Sequence, residues 1–432
     1  MWLPLFARRS GAWVLTAVLA VLAAGALAPA ALAADAPLTL AAAVRRGVAQ
    51  APLMTARDAD IDASRDEAVR AGRLPDPALT FGVANFPVTS PGAFSLRSDG
   101  MTMRTLGVMQ TIPSRAARAA DRSLAAAQVD AAEADRADTT QTLQQRVADA
   151  WIELWGVQQK RTLLASLRSE SALAVRLTEA RLRGGAGGAT DALAARAAAA
   201  ALENRVAATD ADLAAAEAGL QRWLGPVLPA LGDAPDFGLL PVTPQQLEQT
   251  IDQQAPLQAW HAREQVAQAA LEQARAARHP DWSVSAMYGK RAPGLSDMVT
   301  LQVAVSLPLF TRNRQDQGIS ARQAQRDAVQ AEHEDARRAQ REAIVRTVAT
   351  WRGWGQQIQR YQSTLLPLDR DRAQTALASY GGGGALQPWL DARRDEIELR
   401  LAYVDALVTR ARLWAALAYL LPHHDSLQEL PR

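Results

Sequence analysis

The chain has 432 residues, 49% hydrophobic and 21% charged, with five histidines and no cysteine. Lacking thiols, it can carry no disulfide framework, thiolate metal site or cysteine nucleophile, and no two histidines stand at a ligand spacing on a helix. Its 47 basic and 45 acidic residues nearly cancel, and removing Arg8 and Arg9 with residues 1–33 leaves 45 of each, which argues against a nucleic-acid partner.

Residues 1–33 read as an export signal. Arg8 and Arg9 precede an apolar run from Ala12 to about Ala28, followed by Pro29 and Ala31-Leu32-Ala33. That is the basic, apolar and small-x-small order of a cleavable secretory leader. The run approaches the length of a membrane anchor, but Pro29 and the Ala-x-Ala site favour cleavage. No later stretch reaches 18 uncharged apolar residues, so any membrane the mature chain enters must be crossed by strands.

The rest of the chain is a tandem repeat. Gln50-Ala51-Pro52-Leu53 recurs as Gln254-Ala255-Pro256-Leu257, Pro75-Asp76 as Pro280-Asp281, Leu106 to Pro113 as Leu301 to Pro308, and Leu193-x-Ala195-Arg196 as Leu390-x-Ala392-Arg393. Four ordered matches at offsets of 204, 205, 195 and 197 residues indicate a duplication of most of the mature chain. The fall of about ten between the second and third offsets places a loop longer by that amount in the first copy. The division expected is a leader at 1–33, a first repeat at 34–233, a second at 234–421 and a tail at 422–432.

Each copy starts with a helical segment, about 39–73 or 244–278, that ends before Pro75 or Pro280. Two short strands joined by a turn-rich loop follow. Next comes a long helical run, from Ser114 to Arg183 or from about Thr311 to Tyr380, then a glycine cluster and a further helix. The first run holds no proline and one glycine, Gly156, and at 1.5 Å per residue it spans roughly 105 Å. Pro367 predicts a kink or break in the second. Flanking helices of about 35 residues, placed end to end, match one long helix, so each copy reads as one continuous and one composite rod. The helical stripe is rich in alanine, with Leu143, Val147, Ala150, Trp151 and Leu154 as its larger members. Alanine buries little area, which points to assembly with neighbouring copies and away from a free coiled coil.

The strands alternate. Trp282, Val284, Ala286 and Tyr288 share one face against Ser283, Ser285 and Met287, and Val299, Leu301, Val303, Val305 and Leu307 share one against Thr300, Gln302, Ala304 and Ser306. The first copy is weaker: Leu79, Phe81 and Val83, then Leu106, Val108 and Ile112, with Gln110 interrupting. About nine alternating residues suit a transmembrane strand; a half-buried sheet in a soluble protein alternates in the same way. Four strands cannot close a barrel, and open edges are not tolerated in lipid, so membrane strands here require several chains to share one barrel.

This layout resembles the outer membrane efflux proteins of the TolC family over essentially the whole mature chain. The matching residues are Leu38-Thr39-Leu40, Leu74-Pro75-Asp76-Pro77, Gln110-Thr111-Ile112-Pro113, Ser306-Leu307-Pro308-Leu309, Thr190-Asp191-x-x-x-Ala195-Arg196 and Leu390-Asp391-Ala392-Arg393. The resemblance implies a mainly α fold with a membrane β-barrel: a homotrimer whose 12 strands form one barrel in outer membrane lipid, continued by a periplasmic helical barrel. It also implies a passive exit duct coupled through a periplasmic adaptor to an inner-membrane pump of the RND type, with no cofactor. Asn85-Phe86-Pro87, Ala93-Phe94-Ser95-Leu96 and Met101-Thr102-Met103 look most like members from heavy-metal efflux. Met101, Met103 and Met109 could guide a soft ion, or serve as gap-filling apolar surface. The same type of channel serving multidrug efflux or type I secretion is the nearer alternative. A soluble periplasmic scaffold or adaptor is the other; an adaptor should carry a β-rich lipoyl-like module, and none is found.

By the same resemblance Gly184, Gly185, Gly187 and Gly188, with Gly381, Gly382, Gly383 and Gly384, turn the hairpins at the periplasmic tip that receives the adaptor. Thr190, Asp191, Tyr380 and Asp391 match positions that close the pore there, and three symmetry-related aspartates facing a pore would favour cations. Thr190-Asp191 also suits a helix N-cap. The family's basic latch residue falls at about Gly384, which predicts a weaker or differently built latch. The glycine clusters follow no strand and carry no Lys-Ser/Thr, so they do not read as phosphate loops. His423-His424-Asp425 is a weak metal candidate. No nucleophile–base or paired-carboxylate arrangement has positional support, and no enzyme is expected.

Overall fold

The computed structural model describes residues 37–89 and 91–421; the expected leader, the C-terminal tail and His423-His424-Asp425 lie outside them. In chain order the elements are α1 (Leu40–Gln50), α2 (Pro52–Arg70), β1 (Ala78–Ala84), β2 (Met103–Ile112), α3 (Arg115–Arg183), α4 (Ala189–Leu224), α5 (Pro244–Gln249), α6 (Ala255–Ala276), β3 (Asp281–Lys290), β4 (Met298–Ser306), α7 (Gln315–Arg360), α8 (Leu366–Gly381) and α9 (Gln387–Ala418).

The expected first helix of each copy is two helices. The repeated Gln-Ala-Pro-Leu marks the break: Pro52 and Pro256 each sit in the first turn of a new helix, where a missing N–H costs nothing. The long run behaves as its composition predicts. Ser114 caps α3, its hydroxyl accepting from the Ala117 N–H at 3.0 Å, and 69 residues follow unbroken, about 104 Å of rod. In the second copy Pro367 neither ends the rod nor stands alone. A π-helical turn over Tyr361–Leu365 precedes it and passes directly into α8. The wider turn absorbs the proline ring and its missing donor one turn upstream.

Composite rods lie along α3. Arg136–Asp58 and Arg65–Glu133 join α2 to its first half, whereas Arg161–Asp210 and Arg168–Glu203 join α4 to its second. The main core sits where these rods meet α1 and α9. It comprises Leu40, Val44, Val147, Trp151, Ile152, Leu220, Ala411 and Trp414, all under 4% exposed. Three indole N–H groups donate to carbonyls outside the helices there: Trp151 to Leu38, before α1, and Trp351 to Phe237 and Trp414 to Leu239, between α4 and α5, at 2.9, 3.0 and 2.6 Å. Towards its ends α3 buries mainly alanines, such as Ala120, Ala125, Ala127 and Ala174, so the bulky core is local.

The four strands form one antiparallel sheet in the order β1-β2-β3-β4. The β1–β2 loop covers 85–102 and the β3–β4 loop covers 291–297, the length difference that the offsets predict. No helix among the described residues is long and apolar enough to cross a membrane.

Candidate functional site: the two-faced sheet and the helical tip

Register decides what the sheet can do. Phe81 stands opposite Leu106, Leu106 opposite Tyr288, and Ala286 opposite Leu301. Opposed residues of an antiparallel pair share a face, so the apolar stripes of all four strands fuse into one surface. That surface is open: Phe81 is 84% exposed, Leu301 77% and Val299 71%. Arg104 and Lys290, opposite each other, lie on it only at the end farthest from the helices. A continuous bare apolar sheet of this kind requires a non-aqueous neighbour. Gln110, the interruption in the β2 stripe, lies at the helical end, and its side-chain amide donates to the Pro75 carbonyl at 2.8 Å.

The opposite face carries Thr80, Thr105, Thr111, Ser283, Ser285, Thr300 and Gln302, with small residues among them. All four strand-borne methionines fall on this polar face: Met103, Met109, Met287 and Met298. Met103 and Met298 flank Gly289, and the Met103 sulfur lies 3.0 Å from the place a Cβ on Gly289 would take. Met101 lies in the loop, outside the strands. Alternation alone already puts Met287 with Ser283 and Ser285; Met298, opposite Gly289, is the addition the structure makes to this face.

The far end of the helices carries the second site. Both hairpins turn with the same device. After α3, the Gly185 N–H bonds the Leu182 carbonyl and the Ala186 N–H bonds that of Arg181; after α8, Gly383 bonds Tyr380 and Gly384 bonds Ser379. These are paired Schellman motifs. Gly185 and Gly383, at φ +71° and +102°, occupy the left-handed position that only glycine takes freely.

Among the described residues no hydrogen bond or ion pair links the gating candidates Thr190, Asp191, Tyr380 and Asp391 to one another within one chain. Thr190 and Asp191 are the second and third residues of α4, whose N-cap is Gly188, so neither is the cap. Asp191 instead stands in the first turn, where a carboxylate favours the helix dipole. Asp391 on α9 accepts from the Gln387 amide at 3.0 Å and lies 3.4 Å from Arg394. Tyr380 is buried, stacked on Trp389 with centroids 5.8 Å apart, and its hydroxyl has no partner. Its basic neighbour is Arg181, which the sequence reading did not single out. The Arg181 guanidinium lies 4.4 Å from the Tyr380 ring centroid and donates to the Tyr380 carbonyl at 2.6 Å. Arg181 thus joins the end of α3 to the end of α8.

Behind this contact a cavity of about 800 Å³ opens between the hairpins, lined by Leu173, Leu177, Ala198, Leu377, Trp389 and Leu390 among others. Glu396, 2% exposed, is held beside it by Arg393 and Arg400, each at 2.5 Å. Among the described residues no group of three His, Asp or Glu side chains could hold a metal ion.

Similarity to known proteins agrees with this geometry. The family model for outer membrane efflux proteins matches residues 43–226 and 247–422. No curated protein matches the sequence. Among solved structures the chain is similar to a membrane protein from Pseudomonas aeruginosa (20% identity, 88% of this chain and 90% of that one, TM-score 0.76). It is also similar to CusC (17%, 88% and 92%, TM-score 0.75) and to the outer membrane protein VceC of Vibrio cholerae (18%, 88% and 95%, TM-score 0.71). At these identities the structures establish a shared fold of a helical barrel and a strand barrel. With both halves matched by the family model, the chain belongs to the outer membrane efflux protein family.

Proposed function

We propose that three copies of this chain form a passive exit duct for heavy-metal cations, coupled through a periplasmic adaptor to an RND-type inner-membrane pump. The apolar sheet face meets outer membrane lipid, the polar face lines the barrel, and the rods carry the channel through the periplasm. The adaptor docks on the glycine-turned tips. Thr190, Asp191 and Asp391 line the constriction there, while Tyr380 holds the two hairpins of one chain together.

The observation that carries the cargo assignment is the one-sided placement of Met103, Met109, Met287 and Met298. All four point to the same side as the serines and threonines, away from the open apolar surface. Thioethers prefer soft ions such as Cu(I), and single weak ligands spread along a wall let an ion enter and leave. The test is complementation in a strain lacking its native duct but retaining adaptor and pump. Replacing the four methionines by leucine should lower tolerance to copper or silver while outer membrane level, native trimer mass and tolerance to organic toxicants stay unchanged. Unchanged metal tolerance would remove the cargo assignment and leave the duct.

A further inference from the structure

The internal duplication contains the register of a contact between chains. Residues of β1 map onto β3 with an offset of 205, set by Pro75 and Pro280, and residues of β2 map onto β4 with an offset of 195, set by Leu106 and Leu301. The structure checks this map. In the first hairpin Phe81 opposes Leu106; the map sends that pair to Ala286 and Leu301, which oppose each other in the second. Leu79 with Val108 likewise becomes Val284 with Val303, also an observed pair. The two hairpins are thus copies in register as well as in sequence.

Between the hairpins, β2 pairs with β3, with Leu106 opposite Tyr288, Val108 opposite Ala286 and Gln110 opposite Val284. The outer edges, β1 and β4, have no neighbour. Their exposure shows it: nearly every residue on both faces of β1 and β4 is open, whereas along β3 the polar face is partly covered. Unpaired ladder groups cannot remain open in lipid. Applying the same map to the β2–β3 seam gives the seam that these edges must make.

We propose that β4 of one chain pairs antiparallel with β1 of a neighbouring copy in the register of the internal β2–β3 seam. Leu301 stands opposite Val83 of the neighbour, Gln302 opposite its Gly82, Val303 opposite its Phe81, Ala304 opposite its Thr80 and Val305 opposite its Leu79. This register uses all seven residues of β1, from Ala78 against Ser306 to Ala84 against Thr300, and overruns neither strand. It also keeps the faces consistent. Leu301, Val303 and Val305 meet Val83, Phe81 and Leu79 on the apolar side, and Gln302 and Ala304 meet Gly82 and Thr80 on the polar side. A slip of one residue would set every apolar residue of one strand against the polar face of the other. The assignment rests on the duct reading for the number of copies; the register rests on the duplication.

Because the chain has no cysteine, engineered pairs report without background. Directly opposed strand residues have Cα atoms about 4.5–5.5 Å apart, within the span of a disulfide. Full-length protein carrying T80C and A304C, oxidised in outer membranes with copper–phenanthroline, should run as covalent dimers and trimers on a non-reducing gel and revert with reductant. The pair G82C with A304C, a two-residue slip whose side chains stand about 7–8 Å apart, should stay monomeric. Native mass of each double-cysteine variant, taken with reductant present, establishes whether it assembles. Cross-linking of the slipped pair, or of neither pair in a protein that assembles, would overturn the register. A protein of monomer mass would instead overturn the duct reading on which the trimer depends.

Discussion

Arg181 and Tyr380 join the two hairpins of one chain: the guanidinium lies over the ring at 4.4 Å and its Nη1 donates to the Tyr380 carbonyl oxygen at 2.6 Å. A charged hydrogen bond contributes about 1.5–3 kcal/mol and a cation–π contact about 0.5–2. Arg181→Ala should therefore shift a closed tip towards open by about tenfold or more, read as raised conductance of the trimer in planar bilayers. Arg181→Lys should fall between, because an ammonium cannot make the planar contact. Tyr380→Phe should leave conductance and unfolding unchanged or slightly improve stability, since the lost hydroxyl is buried without a partner. A closed tip in Arg181→Ala would show that the latch lies elsewhere.

The two Schellman turns separate the glycines by need. Gly185→Ala and Gly383→Ala each force a side chain into the left-handed region, at a cost of about 1–2 kcal/mol. Gly381 ends α8 with open space around its Cβ position, so Gly381→Ala should be neutral or stabilising by up to about 1 kcal/mol. Hydrogen exchange at the tip amides distinguishes them: faster for the first two variants, unchanged or slower for the third.

The sheet faces respond oppositely to charge. Val303→Arg places a guanidinium in the middle of the apolar face, where it costs about 2–4 kcal/mol in a bilayer. Gln302→Arg, next along β4 on the polar face, should assemble normally. Comparing heat-resistant trimer in outer membrane fractions gives the answer; equal loss in both would contradict the assignment of sides.

Asp369, at the start of α8, has a carboxyl raised above its ordinary 3.8 by burial first and then by the neighbouring Glu396, with Arg372 opposing. One of its oxygens is buried without a hydrogen-bond partner. A raised folded value means that its stabilising contribution is complete below pH 3.8 and is lost as pH rises through the folded value. Asp369→Asn should accordingly be more stable than the parent at neutral pH, with the two converging at acid pH in denaturant titrations. A variant less stable at pH 7 would show that the carboxylate makes a contact worth more than its desolvation.

Repetition and alternation made most of this fold legible. The offsets that align Pro75 with Pro280 and Leu106 with Leu301 give the duplication and the extra length of the 85–102 loop. Ser114 and the proline-free run after it give the long rod. Less legible were events that depend on a partner distant in sequence. The turn at Tyr361–Leu365 carries no composition signal of its own, because the strain it relieves belongs to Pro367. Arg181 looks like any basic residue in a last turn until the second hairpin brings Tyr380 beneath it, 199 positions away. The tip candidates came from resemblance, and the chain distributes them: Tyr380 to its own core, Thr190 and Asp191 to the first turn of α4, and Asp391 to the second turn of α9.

The pairing of β2 with β3, Leu106 against Tyr288, crosses the boundary between the two repeats. A chain with one repeat would bring two strands, and six such chains would be needed to close twelve. Fusing the copies halves the number of encounters that must succeed before any open edge meets lipid. It also frees the two halves to diverge, because alternate positions round the ring no longer share a coding sequence. The unequal loops, the π-helical turn in only one rod, and a tip with arginine on one hairpin and tyrosine on the other are differences that a six-fold ring of identical chains could not carry.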